Sequence, residues 1–393
     1  MIVAKTIERQ LERASWIRRM FEEGARLKRE RGAENVFDFT LGNPDLDPPP
    51  PVVKALHEAA LNDAPGIHGY MNNAGYSDVR EALADRLSNA TGLAYTMNHI
   101  LMTVGSSGAI NTVLKAMLDP GDEVIVLSPY FPEYRFYIEN HAGIVVEVQT
   151  RRDFQPDIEA IEKAITSRTR AIILNSPNNP TGALYSAVVL RDLDAMLARL
   201  PDPPVVISDE PYRAIVFDGV EVPETASIIR RSITATSWSK AWGISGERIG
   251  YMAISPQIEE ADALRNACTF TNRILGYINA PAIWQRVVLR AAGAVPEVSE
   301  YQRRRDRMCG ILRRIGYEFD IPRGTFYVFP RTPIPDDIRF VRELVSEGIL
   351  AVPGTGFGRA GYMRLALTAP CKVIERSEPG FARAFERCIA HPK

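Results

Sequence analysis

The sequence predicts an α/β fold: a mostly parallel central sheet sandwiched by helices, with a smaller α+β unit formed by the two ends of the chain. Three observations carry this. Short, near-continuous Val/Ile/Leu runs alternate with helical periods through the middle of the chain, the mark of parallel strands buried on both faces. The strand runs each end in a polar or glycine-rich turn. Beyond about residue 256 the alternation gives way to helices and then to a short mixed segment. The division expected is a large domain over residues 51–285 and a small one from 1–50 with 286–393.

Taken in order, the chain opens with an amphipathic helix over roughly Lys5 to Arg31, then the extended piece VFDFTLGNP. The cluster PDLDPPPP at 44–51 is read as a linker or wrap-around arm, because proline is excluded from helix and sheet interiors. Helix PVVKALHEAALND follows, then a Gly/Asn-rich loop, then helix SDVREALADRLSNATG with Ser77 as its N-cap. The strands are HILMTV, EVIVLS, GIVVEVQT, RAIILN, PVVISD, ITATS and RIGYMAIS, with helices such as AINTVLKAML and SAVVLRDLDAMLARL between them. VPEVSEYQRRRDRMCGILRRIG reads as one long helix bridging the domains. TFYVFP, DDIRFVRELVSEG, ILAVPG and YMRLAL make up the smaller unit.

Composition narrows the function. With 393 residues and 46% apolar content, the chain can bury a large core. Its 47 basic and 48 acidic residues leave a formal charge of −1, so neither nucleic acid nor an anionic membrane is expected as a partner. Four cysteines form no CxxC pair and five histidines do not cluster, so no metal site is expected and the thiols are read as reduced. The opening MIVAKTIERQLERASW lacks an apolar signal region, and no stretch approaches a membrane span. The expected location is cytoplasmic.

In open parallel sheets, ligands bind beyond the carboxyl ends of the strands. Three polar residues collect there: Asn179 after RAIILN, Asp209 after PVVIS and Lys240 after ITATS. They lie 30 and 31 positions apart, about one βα unit each, so all three can face one crevice. A lysine so placed can attack a carbonyl if burial or a neighbouring cation destabilises its ammonium, and Arg248 lies eight residues on. GSSG at 105–108 stands between strand and helix, where backbone N–H groups and the hydroxyls of Ser106 and Ser107 suit an anion. Asp209 and Tyr212 put an acid and a phenol on one loop: the acid suits a ring-nitrogen cation, the phenol an oxyanion. GTGFG at 354–358 lacks a following GK[ST] and is read as a turn.

SPNNPTG, DEPY, SWSK and GERIG, in this order and spacing, resemble the class I/II aminotransferases of pyridoxal-phosphate (PLP) fold type I, and the match covers nearly the whole chain. The resemblance implies that Lys240 is the Schiff-base lysine and proton shuttle, that Asp209 pairs with the pyridinium nitrogen, and that Tyr212 and Asn179 donate to the phenolic oxygen. It implies a phosphate cup of Ser106, Ser107, Ser237 and Arg248, with Phe131 stacked on the ring and Tyr130 as the neighbouring alternative. Tyr70, in HGYMNNAGY, resembles the tyrosine that reaches a partner subunit's phosphate, which implies a homodimer with shared active sites. Arg364, in YMRLAL, matches the arginine that grips the substrate α-carboxylate, and Gly42 and Asn43 match the segment that closes over the substrate. Asn178 and Trp238 stand where the family more often has other residues, at no chemical position.

The expected activity is transfer of an amino group between an L-amino acid and a 2-oxo acid in two half-reactions, by a ping-pong mechanism. A PLP-dependent β-lyase is the alternative on the same cup and lysine. A non-enzymatic ligand-sensing regulator is disfavoured by the missing DNA-binding module. The amino donor is left open: Arg273, in FTNRILGY, is a candidate reader of a side-chain carboxylate, whereas Phe326 and Tyr327 would suit an apolar substrate.

Overall fold

The computed structural model describes residues 2–13, 15–62 and 64–391, and leaves out the side chains of 12–22. Seven strands form the central sheet: β1 (Ile100–Thr103), β2 (Glu123–Ser128), β3 (Ile144–Gln149), β4 (Thr169–Asn175), β5 (Val205–Asp209), β6 (Ser232–Ser237) and β7 (Gly250–Ile254). Their spatial order is β1-β7-β6-β5-β4-β2-β3. β7 alone runs against the direction of the other six strands, so the carboxyl ends of those six share one edge. Strands β1, β2 and β5 are buried at every position, which is why they read as unbroken apolar runs; β3, at the edge, is half exposed. Helices cover both faces. One layer packs Ala109, Ile110 and Val113 of helix Gly105–Met117 on the sheet; the other packs Val189, Leu193 and Met196 of helix Ala187–Leu197. All seven strands stand where the sequence placed them.

The N-terminal helical stretch appears as Lys5–Arg13 and Ser15–Arg31, with Ala14 outside the described residues. Ser77 is a correction. Tyr76 occupies the cap position of helix Ser77–Thr91 and no side chain caps it. The Gln285 side-chain oxygen accepts the Tyr76 backbone N–H at 3.0 Å, so the chain is committed to the helix from Ser77 onward. At the other end Gly92, at φ 73°, closes the helix in the left-handed region that suits glycine. Ser186 and Asp157 do cap their helices, accepting the N–H groups of Val189 and Ala160.

The C-terminal part joins helix Val298–Ile315, the short strands Tyr327–Val328 and Met363–Ala366, and helix Asp337–Ser346 around one apolar cluster that includes Phe326, Phe340 and Leu365. Phe37–Asp38 from the N-terminal segment pairs in parallel with Ile349–Leu350, so both chain ends build this part together. Helix Cys371–Ala390 was not anticipated from the sequence; it buries Ile374, Phe381, Ala384 and Cys388 despite Pro379 in its interior. Helix Ala282–Ala291 runs through position 285 and buries Trp284, Val287 and Val288 in the same cluster as Val52 and Ala55 of helix Pro50–Ala60.

The proline arm is pinned by the long helix. Arg304 Nη1 donates to Asp45 Oδ1 at 2.8 Å and to the carbonyl of Thr368 at 3.0 Å. Leu46 passes over Gly243, where the backbone stands at φ 68° and a Cβ would collide with the Leu46 carbonyl. The arm therefore delivers residues 40–43 to the edge of the sheet where the strand ends converge.

Candidate active site

Register explains how residues far apart in sequence meet. Asn175, last in β4, pairs with Asp209, last in β5, and Asp209 pairs with Ala235 of β6, whose end leads into Lys240. The helix after β1 starts at Gly105, so GSSG is its first turn and opens toward the same edge. These elements, with the arm at 40–42 and Tyr327 and Arg364 from the C-terminal part, enclose a cavity of about 300 Å³. Among the sequence-predicted site residues, Gly42, Ser106, Ser107, Phe131, Asn179, Asp209, Tyr212, Ser237, Lys240, Arg248 and Arg364 all line it.

Lys240 Nζ donates to the carbonyl of Gly42 at 3.0 Å. Burial pulls its pKa down to about 8, helped by the cations of Arg364 and Arg248 and opposed by Asp209. About a tenth of this amine is thus uncharged at pH 7, a few hundred times the share in an ordinary lysine, and attack on an aldehyde requires that form. Asp209 is 5% exposed, and burial pushes its carboxyl up to about 7, while the hydroxyls of Tyr134 and Ser106 act in the opposite sense. Tyr134 donates to Asp209 Oδ2 at 2.5 Å; Oδ1 is buried without a partner. The Tyr212 hydroxyl lies 3.1 Å from that of Tyr327, and burial holds its pKa well above the usual phenol range.

Arg364 is buried against the rings of Tyr327 and Phe357, at 4.5 and 4.9 Å from their centroids. Its Nη1 donates to Asn179 Oδ1 at 3.1 Å and its Nη2 to the carbonyl of Thr40 at 2.6 Å, while Nε has no partner. Of five guanidinium N–H donors, two are used and three remain for a ligand. Phe357 comes from the GTGFG segment, a short 3-10 helix at Gly354–Phe357 whose contribution to the site the sequence did not reveal.

At the other end of the cavity, Arg248 sits at φ 53° and donates through Nη1 to Ser245 O and through Nη2 to Val104 O, at 2.9 and 3.1 Å. Gly105, at φ 82°, leaves room for it: a Cβ there would stand 2.8 Å from Arg248 Nη2.

Some expectations fall elsewhere. Tyr70 is 89% exposed and borders a separate surface pocket with Tyr277 and Asn279. Tyr130 is buried and donates to Glu147 Oε1 at 3.0 Å, outside the cavity lining, so Phe131 is the aromatic that faces it. Arg273 is exposed on helix Ala261–Ile274, outside the lining, over the ring of Phe270. Asn43 holds Ser245 through its side chain at 2.8 Å. Tyr327 lines the cavity, whereas Phe326 is packed in the core behind it. The sequence did not point to Thr40, Tyr134, Tyr137, Asn175, Ser239 or Ser245, all in the wall. Glu133 is there too, its carboxyl pushed up by burial alone.

The donor set fits a phosphorylated pyridinium aldehyde. Asp209 Oδ1 is a bare buried acceptor suited to a ring N–H, the Ser106, Ser107, Ser237 and Arg248 group supplies donors for a dianion, and Lys240 lies between.

The comparisons with known proteins agree. The family model for aminotransferase class I and II matches residues 34–375. The aspartate/prephenate aminotransferase of Thermus thermophilus is 35% identical over 92% of this chain and 94% of its own. An LL-diaminopimelate aminotransferase of Dehalococcoides mccartyi is 32% identical over 89% and 91%. The crystal structure of an amino transferase from Eubacterium rectale superposes with a TM-score of 0.95 at 32% identity, covering 98% of this chain and 99% of that one. The Thermus thermophilus aspartate aminotransferase with maleate gives 0.83 at 31% identity, covering 94% and 96%. The chain belongs to the class I and II aminotransferases, PLP-dependent enzymes that exchange an amino group between an L-amino acid and a 2-oxo acid on an open, mostly parallel α/β sheet.

Proposed function

We propose that transamination in this chain is carried by Lys240, Asp209 and Tyr212, with Arg364 orienting the substrate. PLP, when bound, supplies an aldehyde and an electron-withdrawing ring. One observation carries the reading: Lys240, Asp209 with its unpartnered Oδ1 and Arg364 with three unused donors line one cavity. Lys240 holds the cofactor covalently and, once displaced, moves a proton at the substrate Cα. Asp209 keeps a positive charge on the ring nitrogen, and that same charge relieves its own desolvation. Asn179 steadies Arg364, and the Tyr212 hydroxyl can donate to an oxyanion. Ser106, Ser107, Ser237 and Arg248 hold the phosphate. Gly42, whose Cβ would overlap the Tyr327 hydroxyl, lets the arm come down on the substrate.

The cations in the wall are Lys240, Arg248 and Arg364, each with a role in this scheme. With Phe131 against the cofactor ring, Leu41, Ile110 and Tyr327 remain for the substrate's side chain, which favours apolar or aromatic amino donors. A dicarboxylic substrate needs a cation from a second copy. The exposed Tyr70, Phe270 and Ile274 support a homodimer in which Tyr70 completes the partner's phosphate site. The large domain, 51–285, would carry the cofactor, and the small one, 1–50 with 286–393, the carboxylate grip. Among the described residues no helix is long and apolar enough to cross a membrane. The cysteines Cys268, Cys309, Cys371 and Cys388 are all free, and a cytoplasmic location follows as part of the proposal.

The test is spectroscopic. Protein saturated with PLP should show a visible band that shifts on adding an amino acid and returns on adding a 2-oxo acid. A protein that shows no such band under saturation overturns the reading.

A further inference from the structure

Asp209 lines the cavity with Oδ1 unpartnered and Oδ2 taken by a neighbouring residue. Tyr134 lies on helix Glu133–Glu139, is 1% exposed, and its hydroxyl donates to Asp209 Oδ2 at 2.5 Å. Its backbone N–H bonds the carbonyl of Phe131 at 3.1 Å, and the two rings meet edge-on at 5.6 Å. The Phe131 ring that lines the cavity and the hydroxyl that holds the carboxylate are therefore set by one turn of chain. On the other side, Asn175 Nδ2 donates to the Asp209 backbone carbonyl at 2.9 Å, so the main chain is fixed as well. What these contacts leave undetermined is the rotation of the carboxylate about its own bond, and only Tyr134 touches the oxygen that sets it.

We propose that Tyr134 is the positioning residue for Asp209: its hydroxyl holds Oδ2, fixes the plane of the carboxylate, and thereby presents Oδ1 to the cofactor's ring nitrogen. The inference rests on the reading of Asp209 as the partner of that nitrogen.

The surroundings favour this over a purely structural role for the phenol. Tyr134 is fully buried, and a buried hydroxyl with no acceptor costs free energy, so it needs a partner. The acceptor it has is a buried carboxylate whose second oxygen lacks any hydrogen bond. The other groups acting on Asp209 are Ser106 from helix Gly105–Met117, Glu210 beside it and Lys240 beyond β6. Burial and Glu210 favour the neutral acid, whereas the Tyr134 and Ser106 hydroxyls and Lys240 favour the anion. Loss of the phenol hydroxyl frees the carboxylate to rotate and tilts it toward the uncharged form. Both weaken a contact with a ring N–H cation, and neither affects a ring with carbon at that position.

That difference gives the test. Cofactor-free wild type and Tyr134→Phe are titrated with PLP and with the analogue that has carbon in place of the ring nitrogen. Wild type should prefer PLP, and Tyr134→Phe should lower that preference by roughly 10- to 100-fold, the range of one hydrogen bond to a charged group. Affinity for the analogue should stay within about twofold of wild type by the same reasoning. An equal loss for both ligands, or an undiminished preference, overturns the role of Tyr134. If wild type itself binds the two ligands alike, the reading of Asp209 fails first, and Tyr134 with it. Asp209→Ala separates the two further: in that background Tyr134→Phe should have no effect on the preference, and an effect there contradicts the proposal. Should Tyr134→Phe not fold, Tyr134→His, which keeps a ring donor, takes its place: a retained preference supports the role, and a loss as complete as that of Asp209→Ala overturns it.

Discussion

Arg364→Ala removes the one arginine in the cavity that packs against two aromatic rings and still has donors to spare. Nη1 and Nη2 each spend one N–H on Asn179 and Thr40, which fixes the plane of the fork. The three remaining N–H groups include Nε, buried and unpartnered, so the fork is prepared for an anion before one arrives. Removing one partner of a buried, hydrogen-bonded charge pair costs about 2–5 kcal/mol, which is about 30- to 5,000-fold in kcat/KM for an α-amino acid. Arg364→Lys keeps the charge and loses the fork, so it should fall in the lower part of that range. The assay compares each variant on an amino acid and on the same amine without its carboxylate. Wild type should greatly prefer the amino acid, and Arg364→Ala should lose most of that preference while turning over the bare amine at close to the wild-type rate. A loss of equal size on both substrates would show that Arg364 acts on the shape of the cavity and not on a carboxylate, and would refute the reasoning.

Three other outcomes follow from the site. Asp209, raised to about 7, stabilises the cofactor-free fold at acid pH and loses that contribution as pH climbs from about 4 to 7; Lys240, lowered to about 8, restores stability only as pH climbs from about 8 to 10.5. The cofactor-free protein should therefore have a stability minimum near pH 7–8, with the Asp209 limb on the order of 4 kcal/mol at most, and PLP should erase it; denaturant melts at pH 5, 7.5 and 10 that trace the same profile with and without PLP would contradict this. Glu133→Gln removes the unpaired carboxylate from the cavity wall and should improve kcat/KM for aspartate relative to phenylalanine by on the order of fivefold, a repulsion of about 1 kcal/mol, whereas no change in the ratio places Glu133 away from the substrate's side chain. Mixed and refolded Lys240→Ala and Tyr70→Ala chains should recover activity that neither has alone if Tyr70 serves its partner's site, and no recovery in confirmed hybrids argues that each cavity is complete in one chain.

Much of the fold was legible because parallel strands buried on both faces write themselves as unbroken apolar runs, and β1, β2 and β5 are buried throughout. The same regularity exposed Asn179, Asp209 and Lys240, since each follows a strand whose end lies on the shared edge. Arg364 and Gly42 were reachable only through family resemblance: the bond from Arg364 to Thr40 spans 324 positions, which no local pattern encodes. Tyr134 was passed over because a tyrosine in SPYFPEY reads as a core aromatic, and the carboxylate that gives it a polar role lies 75 residues later. Ser77 looked like a cap by residue type, but a side chain more than two hundred positions away, Gln285, set where the helix begins. Pro379 hid the last helix, whose buried Ile374, Phe381, Ala384 and Cys388 nevertheless keep a helical spacing. Tertiary partners, and not local preference, decided each of these.

The central claim is that the amine of Lys240 is the one that bonds the cofactor. Reduction of the PLP-loaded protein with borohydride, followed by peptide mapping, tests it directly. The account predicts a single phosphopyridoxyl label on the peptide containing Ser237-Trp238-Ser239-Lys240, and none there in Lys240→Ala; a label on another lysine, or an unlabelled Lys240 in protein that retains its visible band, would contradict it.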